Sequence, residues 1–231
     1  MTSIFAHRGH HSQWLENSVA AVASAAEIGA DGVEIDVWLT TDKHLVVHHD
    51  RIREGRDVAH STRDQLEGDA PIATLGDVLQ AAGQLRINVE IKSTRSPSYN
   101  LAVARAVAQY LDASPASSEC LVSSFSLAIC DEVRRVAPAR KVGWLVTRQP
   151  SDAVLNQVAA SRLTSAHFPF ARVNRGVVHR AAALGVELHV WTPNLERDID
   201  RMFELGVGTI ITDEVPLAMA LRSHLERATD Q

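Results

Sequence analysis

Apolar positions along the chain repeat one unit: an Ala/Leu-rich stretch of helical spacing, a glycine, then a short β-branched run. The unit is plain in AAEIGADGVEIDV (25–37), AAALGVELHVW (181–191) and FELGVGTIIT (203–212). A glycine placed there closes a helix in the left-handed conformation, the role expected of Gly29, Gly185 and Gly206. The runs that follow are too short for helices and rich in Val and Ile, so they predict strands.

Eight strands emerge: IFAH (4–7), VEIDVWL (33–39), INVEIK (87–92), CLVSSF (120–125), VGWLV (142–146), LTSAHF (163–168), LHVWT (188–192) and TIITD (209–213). Helical runs separate them over 18–28, 74–82, 98–112, 126–136, 151–160, 173–184, 195–205 and 215–226. LVVHH (45–49), after the turn TTDK, reads as a short hairpin added to the second βα unit. The polar stretch 51–73 reads as an irregular insertion. Eight βα units in 231 residues predict an α/β chain folded as one (β/α)8 TIM-barrel domain over 1–231. A doubly wound sheet is the competitor, but it usually carries a Gly-rich phosphate loop after its first strand. Here HRGHHSQWLENS follows, with neither GxGxxG nor a Walker sequence.

Composition narrows the function classes. Apolar residues make up 45% and charged residues 22%, ordinary globular usage. The net charge of −5 implies no broad basic face, so nucleic acid is not an expected partner. No apolar window is long enough for a membrane span, and MTSIFAHRG lacks the layout of a signal peptide. Cys120 and Cys130 sit in apolar contexts, where reduced buried thiols are expected in preference to a disulfide. These features agree on the cytoplasm. Homo-oligomerisation is left open.

The chemistry collects at the strand ends, where a barrel of this kind places its active site. Nearly every strand ends polar: His7-Arg8, Glu34 and Asp36, Glu90 and Lys92, Ser123-Ser124, Trp191, Thr212-Asp213. Alternation puts Glu34 and Asp36 on one face, and Glu90 and Lys92 on one face. On neighbouring strands, three carboxylates converge, a donor set suited to Mg²⁺ or Ca²⁺. The bland alternative is an ion-pair network of the same acids with Arg8 and Lys92, although buried networks of that kind rarely stabilise on balance. Beside a cation, Arg8 and Lys92 suit a phosphoryl group. Histidine is the natural proton carrier near neutral pH, and His7, His48 and His49 stand close to the acidic cluster in sequence. Alternation sends His48 and His49 to opposite faces and does not choose between them. Trp191 is as suited to capping the core as to packing on a substrate.

HRG (7–9), ENS (16–18), GADGVEIDVWLTTD (29–42), LVVHHD (45–50), TLGDVL (74–79), NVEIK (88–92), SSFS (123–126), VWTPN (190–194) and GTIITDEVP (208–216) stand in one order. In that order the chain resembles the glycerophosphodiester phosphodiesterase family over nearly its whole length. The resemblance implies a barrel of the phospholipase-C-like phosphodiesterase type. It implies metal-dependent cleavage of a small glycerophosphodiester to sn-glycerol 3-phosphate and an alcohol. It further implies that Glu34, Asp36 and Glu90 bind one divalent cation, Mg²⁺ or Ca²⁺. His7 and His49 become the general acid–base pair, His49 because the family's histidine directly precedes Asp. Arg8 and Lys92 would hold phosphate; Glu16 and Trp191 would border the metal site and the alcohol group.

Three departures stand out. The 50–74 segment is short, implying a more open mouth; Pro193 replaces an apolar residue; and TDEVP is one residue longer than the commoner motif. The alternatives are a lysophospholipase D acting on lysolipids and a glycosidase using a carboxylate pair. The latter leaves Arg8, Lys92 and the histidines without a duty.

Overall fold

Barrel strand and helix alternate along the protein in a computed structural model, which describes residues 2–68, 70–114 and 119–229. The order is β1 (Ser3–His7), α1 (Val19–Glu27), β2 (Gly32–Leu39), β3 (Leu45–Val47), β4 (Ile52–Arg53), β5 (Arg56–Asp57), α2 (Leu75–Ala82) and β6 (Arg86–Ile91). Then come α3 (Pro97–Ala113), β7 (Cys120–Ser124), α4 (Leu127–Val136), β8 (Lys141–Leu145), α5 (Ser151–Ala160) and β9 (Ser165–Pro169). The chain finishes with α6 (Arg175–Ala183), β10 (Glu187–Trp191), α7 (Glu196–Leu205), β11 (Thr209–Thr212) and α8 (Val215–Thr229).

Strands β1, β2 and β6 to β11 pair in parallel, and β1 closes the circle by pairing with both β2 and β11. This is the predicted (β/α)8 barrel. β3 runs antiparallel to β2, which is the predicted hairpin. Helix ends follow their sequence signals. Ser18 caps α1 through the Ala21 N–H, and Thr74 and Asp77 form a capping box on α2. Gly29, Gly185 and Gly206 take φ of 79°, 66° and 69°, as left-handed helix closures require.

Alternation divides each strand between two environments. Val33, Ile35 and Val37 are fully buried in the apolar layer between barrel and helices. Glu34 and Asp36 face the lumen instead. Deeper in the lumen, Phe5 contacts His189, and His189 stacks on His167 at 4.4 Å between ring centroids. Both cysteines are buried and form no disulfide. Among the described residues, no helix is long and apolar enough to cross a membrane.

One expectation needs correcting. The stretch 51–73 is more ordered than its polarity suggests. β4 and β5 form a two-residue ribbon around Glu54 and Gly55, both at positive φ. Short 3₁₀ turns follow at Val58–His60 and Asp64–Leu66. Val58, Ala59, Leu66 and Ile72 bury against Trp38 and Val46 as a small separate core. These apolar residues are too sparse and too irregularly spaced to announce themselves as a helix or strand.

Candidate active site

Eight of the nine sequence-predicted site residues meet at one cavity of about 140 Å³ in the barrel mouth: His7, Arg8, Glu34, Asp36, His49, Glu90, Lys92 and Trp191 are in its wall. The register explains the convergence. His7 on β1 stands opposite Glu34 on β2, and Asp36 stands opposite Glu90 on β6. One oxygen from each of Glu34, Asp36 and Glu90 lies within 4.8 Å of the others, and all three residues are buried.

The loop from β1 to α1 holds the basic side of the site. Arg8 has φ 57°, an uncommon backbone for a long side chain. It is held there from two sides: its N–H donates to Glu34 Oε2 at 3.2 Å, and its carbonyl accepts from Asn17 N–H at 2.9 Å. Gly9 comes so close to α1 that a Cβ would sit 2.7 Å from Ala21 Cβ. Arg8 Nη1 donates to both oxygens of Glu16, at 3.0 and 2.9 Å, and Nε lies 3.5 Å from Asp36 Oδ2. Glu16 is outside the cavity wall and reaches the site through Arg8. Lys92 Nζ lies 2.7 Å from both Asp36 Oδ1 and Glu90 Oε1.

The ion-pair network is therefore present, yet it does not balance. Glu16, Glu34, Asp36 and Glu90 are four carboxylates against two cations, Arg8 and Lys92. Glu34 takes the deficit. Its Oε1 is buried without a partner among the described residues. Burial, with Asp36 and Glu90 close by, pushes its carboxyl well above the usual range. Burial and Asp36 likewise push Glu90 up to about 7. Burial opposes the charge on Asp36 too, but Lys92, Asn17 and Arg8 outweigh it and hold that carboxyl below its ordinary value. A divalent cation among these oxygens fits the donor set and the charge deficit together.

The two candidate proton carriers are set differently. His7 Nδ1 lies 2.7 Å from Asp213 Oδ1, leaving Nε2 as its other ring nitrogen. His11 Nε2 reaches the same oxygen at 3.1 Å. Asn194 Nδ2 donates to Asp213 Oδ2, and Asn194 Oδ1 accepts from the Asp213 N–H. Asn194 is thus firmly tied despite the neighbouring Pro193. Burial works against ionised Asp213, but His7, Asn194 and His11 hold its carboxyl far below the usual range. His49 Nδ1 pairs with Asp50 at 2.8 Å, at the more open side of the cavity. His48 is not in the cavity wall; it approaches the Ile52 carbonyl, and burial lowers its pKa. Trp191 packs edge-on against Phe125 at 5.7 Å between centroids, and together they wall one side.

Sequence reasoning missed Asn17, Asn88, Phe125 and Asp213. Asn17 donates to Asp36 Oδ2 at 2.8 Å and accepts from the Asp36 N–H at 3.1 Å. It lay in the quoted ENS, but nothing local marks its partner 19 residues away. Asn88 shares a strand face with Glu90, so the alternation that found Glu90 also signals Asn88. Asp213 was noted as a polar strand end without a role.

Known proteins share this sequence pattern and this fold. The sequence profile described as "Glycerophosphoryl diester phosphodiesterase family" matches residues 7–217. A glycerophosphodiester phosphodiesterase of Caldanaerobacter subterraneus is 31% identical, covering 92% of this chain and 94% of that one. A crystal structure of a glycerophosphodiester phosphodiesterase from Parabacteroides distasonis superposes with a TM-score of 0.88 at 28% identity, covering 97% and 98% of the two chains. An Oleispira antarctica phosphodiesterase, solved with its product sn-glycerol-3-phosphate, has the same fold at a TM-score of 0.88 and 21% identity, covering 96% and 97%. A barrel whose mouth gathers these acids, and a match that runs almost from end to end, make this chain a member of the glycerophosphoryl diester phosphodiesterase family.

Proposed function

We propose that the protein hydrolyses glycerophosphodiesters to sn-glycerol 3-phosphate and an alcohol. In this reading Glu34, Asp36 and Glu90 hold one divalent cation, Mg²⁺ or Ca²⁺. Arg8 and Lys92 bind the non-bridging phosphate oxygens, Glu16 steadies Arg8, and Trp191 borders the departing alcohol. The carrying observation is the buried triad of Glu34, Asp36 and Glu90, one oxygen of each within 4.8 Å of the others, in a cluster where four carboxylates, counting the partly exposed Glu16, face two cations. When bound, the ion offsets the negative charge that builds at phosphorus.

The chain's own residues supply the proton movements. His7, backed by Asp213, takes the proton of a neighbouring glycerol hydroxyl as its oxygen forms a bond to phosphorus. The bond from phosphorus to the alcohol oxygen breaks, and His49 gives that oxygen a proton. Water then opens the cyclic phosphate with the two histidines in exchanged roles. Turnover of glycerophosphocholine, glycerophosphoethanolamine and glycerophosphoglycerol with Mg²⁺, with Ca²⁺ and with EDTA tests this, by glycerol 3-phosphate release. Undiminished turnover in EDTA overturns it.

One observation favours a second reading, lysophospholipase D action. Trp14, Leu15, Ile52, Phe125 and Leu195 are exposed apolar side chains, all on segments that follow barrel strands at the mouth end. A lysolipid added to the same panel separates the two. The glycosidase reading has no such support: it leaves Arg8 and Lys92 unused, and these carboxylates gather around one point.

A further inference from the structure

Beside the carboxylate triad, at the register of Glu34 and Glu90, lie buried polar atoms for which the reaction gives no use. Asn88 is 1% exposed, yet neither Oδ1 nor Nδ2 has a partner among the described residues. Ser123 is fully buried, and its Oγ also lacks one. The third unpartnered group is Glu34 Oε1. These atoms come from β2, β6 and β7, which are consecutive in the sheet. Asn88 stands opposite Glu34 in the register, and Ser123 opposite Glu90. Asn88 is also in the cavity wall.

Buried polar side chains almost always find hydrogen-bond partners, and an amide has two donors and an acceptor to satisfy. An apolar residue at position 88 would suit the lumen better if stability were the only demand. A polar group kept at that cost beside metal ligands has a known type of use: groups behind the ligands aim them and tune the ion.

We propose that Asn88 and Ser123 form a polar floor to the cation site, in which the Asn88 amide, through one buried water, holds the inner oxygen of Glu34 and so aims Glu34 at the ion. Asn88 is a positioning residue in this scheme, not a catalytic one. Its amide supplies donors to the carboxylate that has no cationic partner of its own. Ser123 Oγ is the water's second anchor, on the Glu90 side. Three polar groups without protein partners supply the several hydrogen bonds that one buried water needs. The inference rests on Glu34, Asp36 and Glu90 being a cation site.

The test is calorimetric titration of the substrate-free protein with Mg²⁺ and with Ca²⁺, paired with thermal melting in EDTA. Asn88→Leu is expected to weaken cation binding by about 10- to 100-fold. Its melting temperature in EDTA is expected to equal or exceed that of the unaltered protein, because an apolar side chain replaces a buried amide that no protein group partners. Ser123→Ala should shift affinity in the same direction by less. A purely structural Asn88 would do the reverse, lowering the EDTA melting temperature and leaving affinity intact; that result overturns the proposal. Asn88→Ala carries the same comparison if the leucine variant does not fold. If the unaltered protein binds neither cation, the cation site and its floor both fall. If it binds while Asn88→Leu binds equally well, the floor alone falls.

Discussion

Two clusters of ionised side chains in this molecule are built in opposite proportions. On the outer face, Glu132 of α4 is flanked by Arg105 of α3 and by Arg135 one turn on. One carboxylate meets two guanidinium groups, and hydrogen bonds from both arginines pull its pKa down to about 2. In the barrel mouth four carboxylates meet two cations, and Glu34 and Glu90 are pushed up. The first cluster is complete as it stands and links two helices. The second is short of positive charge in a buried place, where an uncompensated charge is expensive. Ion pairs alone do not separate structural from functional sites; the sign of the imbalance does.

Removing charge from the mouth should have the largest effect. Glu34→Ala is expected to lower kcat/KM by about 10³-fold or more, given the several kcal/mol a bound ion contributes. Added Mg²⁺ or Ca²⁺ should not restore it. Asp213→Asn tests the next layer. It removes the carboxylate behind His7 while keeping the shape, and kcat should fall by about 10²- to 10⁴-fold with KM little changed. Its pH–rate profile should also move, which a merely structural role would not produce.

The pH dependence of stability sharpens the contrast. Glu90, with a folded pKa of about 7, and Glu34, also raised, take up protons on folding. In EDTA the melting temperature should therefore fall as pH rises from about 5 through 7, since the folded state binds more protons than the unfolded state there. Saturating cation should flatten that slope by replacing the protons. Glu132 has the opposite shift, so its stabilisation is present above its unfolded pKa and is lost only as pH falls toward about 2. The smallest effect is expected from Glu132→Ala: a melting temperature lower by about 2–4 °C, with kcat/KM unchanged.

Much of this was legible in the amino-acid sequence. Helix-closing glycines and β-branched runs are local signals, and they placed the barrel strands and the helices between them. Alternation within VEIDV was enough to put Glu34 and Asp36 on one face. The partners of those groups were not legible in the same way. Asp213 meets His7 across 206 positions of chain, and Asn17 meets Asp36 across 19. Such pairs depend on register and barrel closure, which short-range periodicity does not encode. His49 illustrates the boundary: alternation left it tied with His48, and only the resemblance separated them before geometry did. The ordered segment after His49 stayed hidden because its small core is made of scattered residues.

The contact between His7 and Asp213 lies at the seam where the first barrel strand meets the last. Every intermediate in synthesis that lacks β11 also lacks the carboxylate behind that histidine. The chain is thus expected to remain silent as a catalyst while it is still emerging from the ribosome, however much of the carboxylate triad has assembled. Activity then reports completion of the ring, and cleavage anywhere that frees β11 from β1 should switch it off without touching Glu34, Asp36 or Glu90.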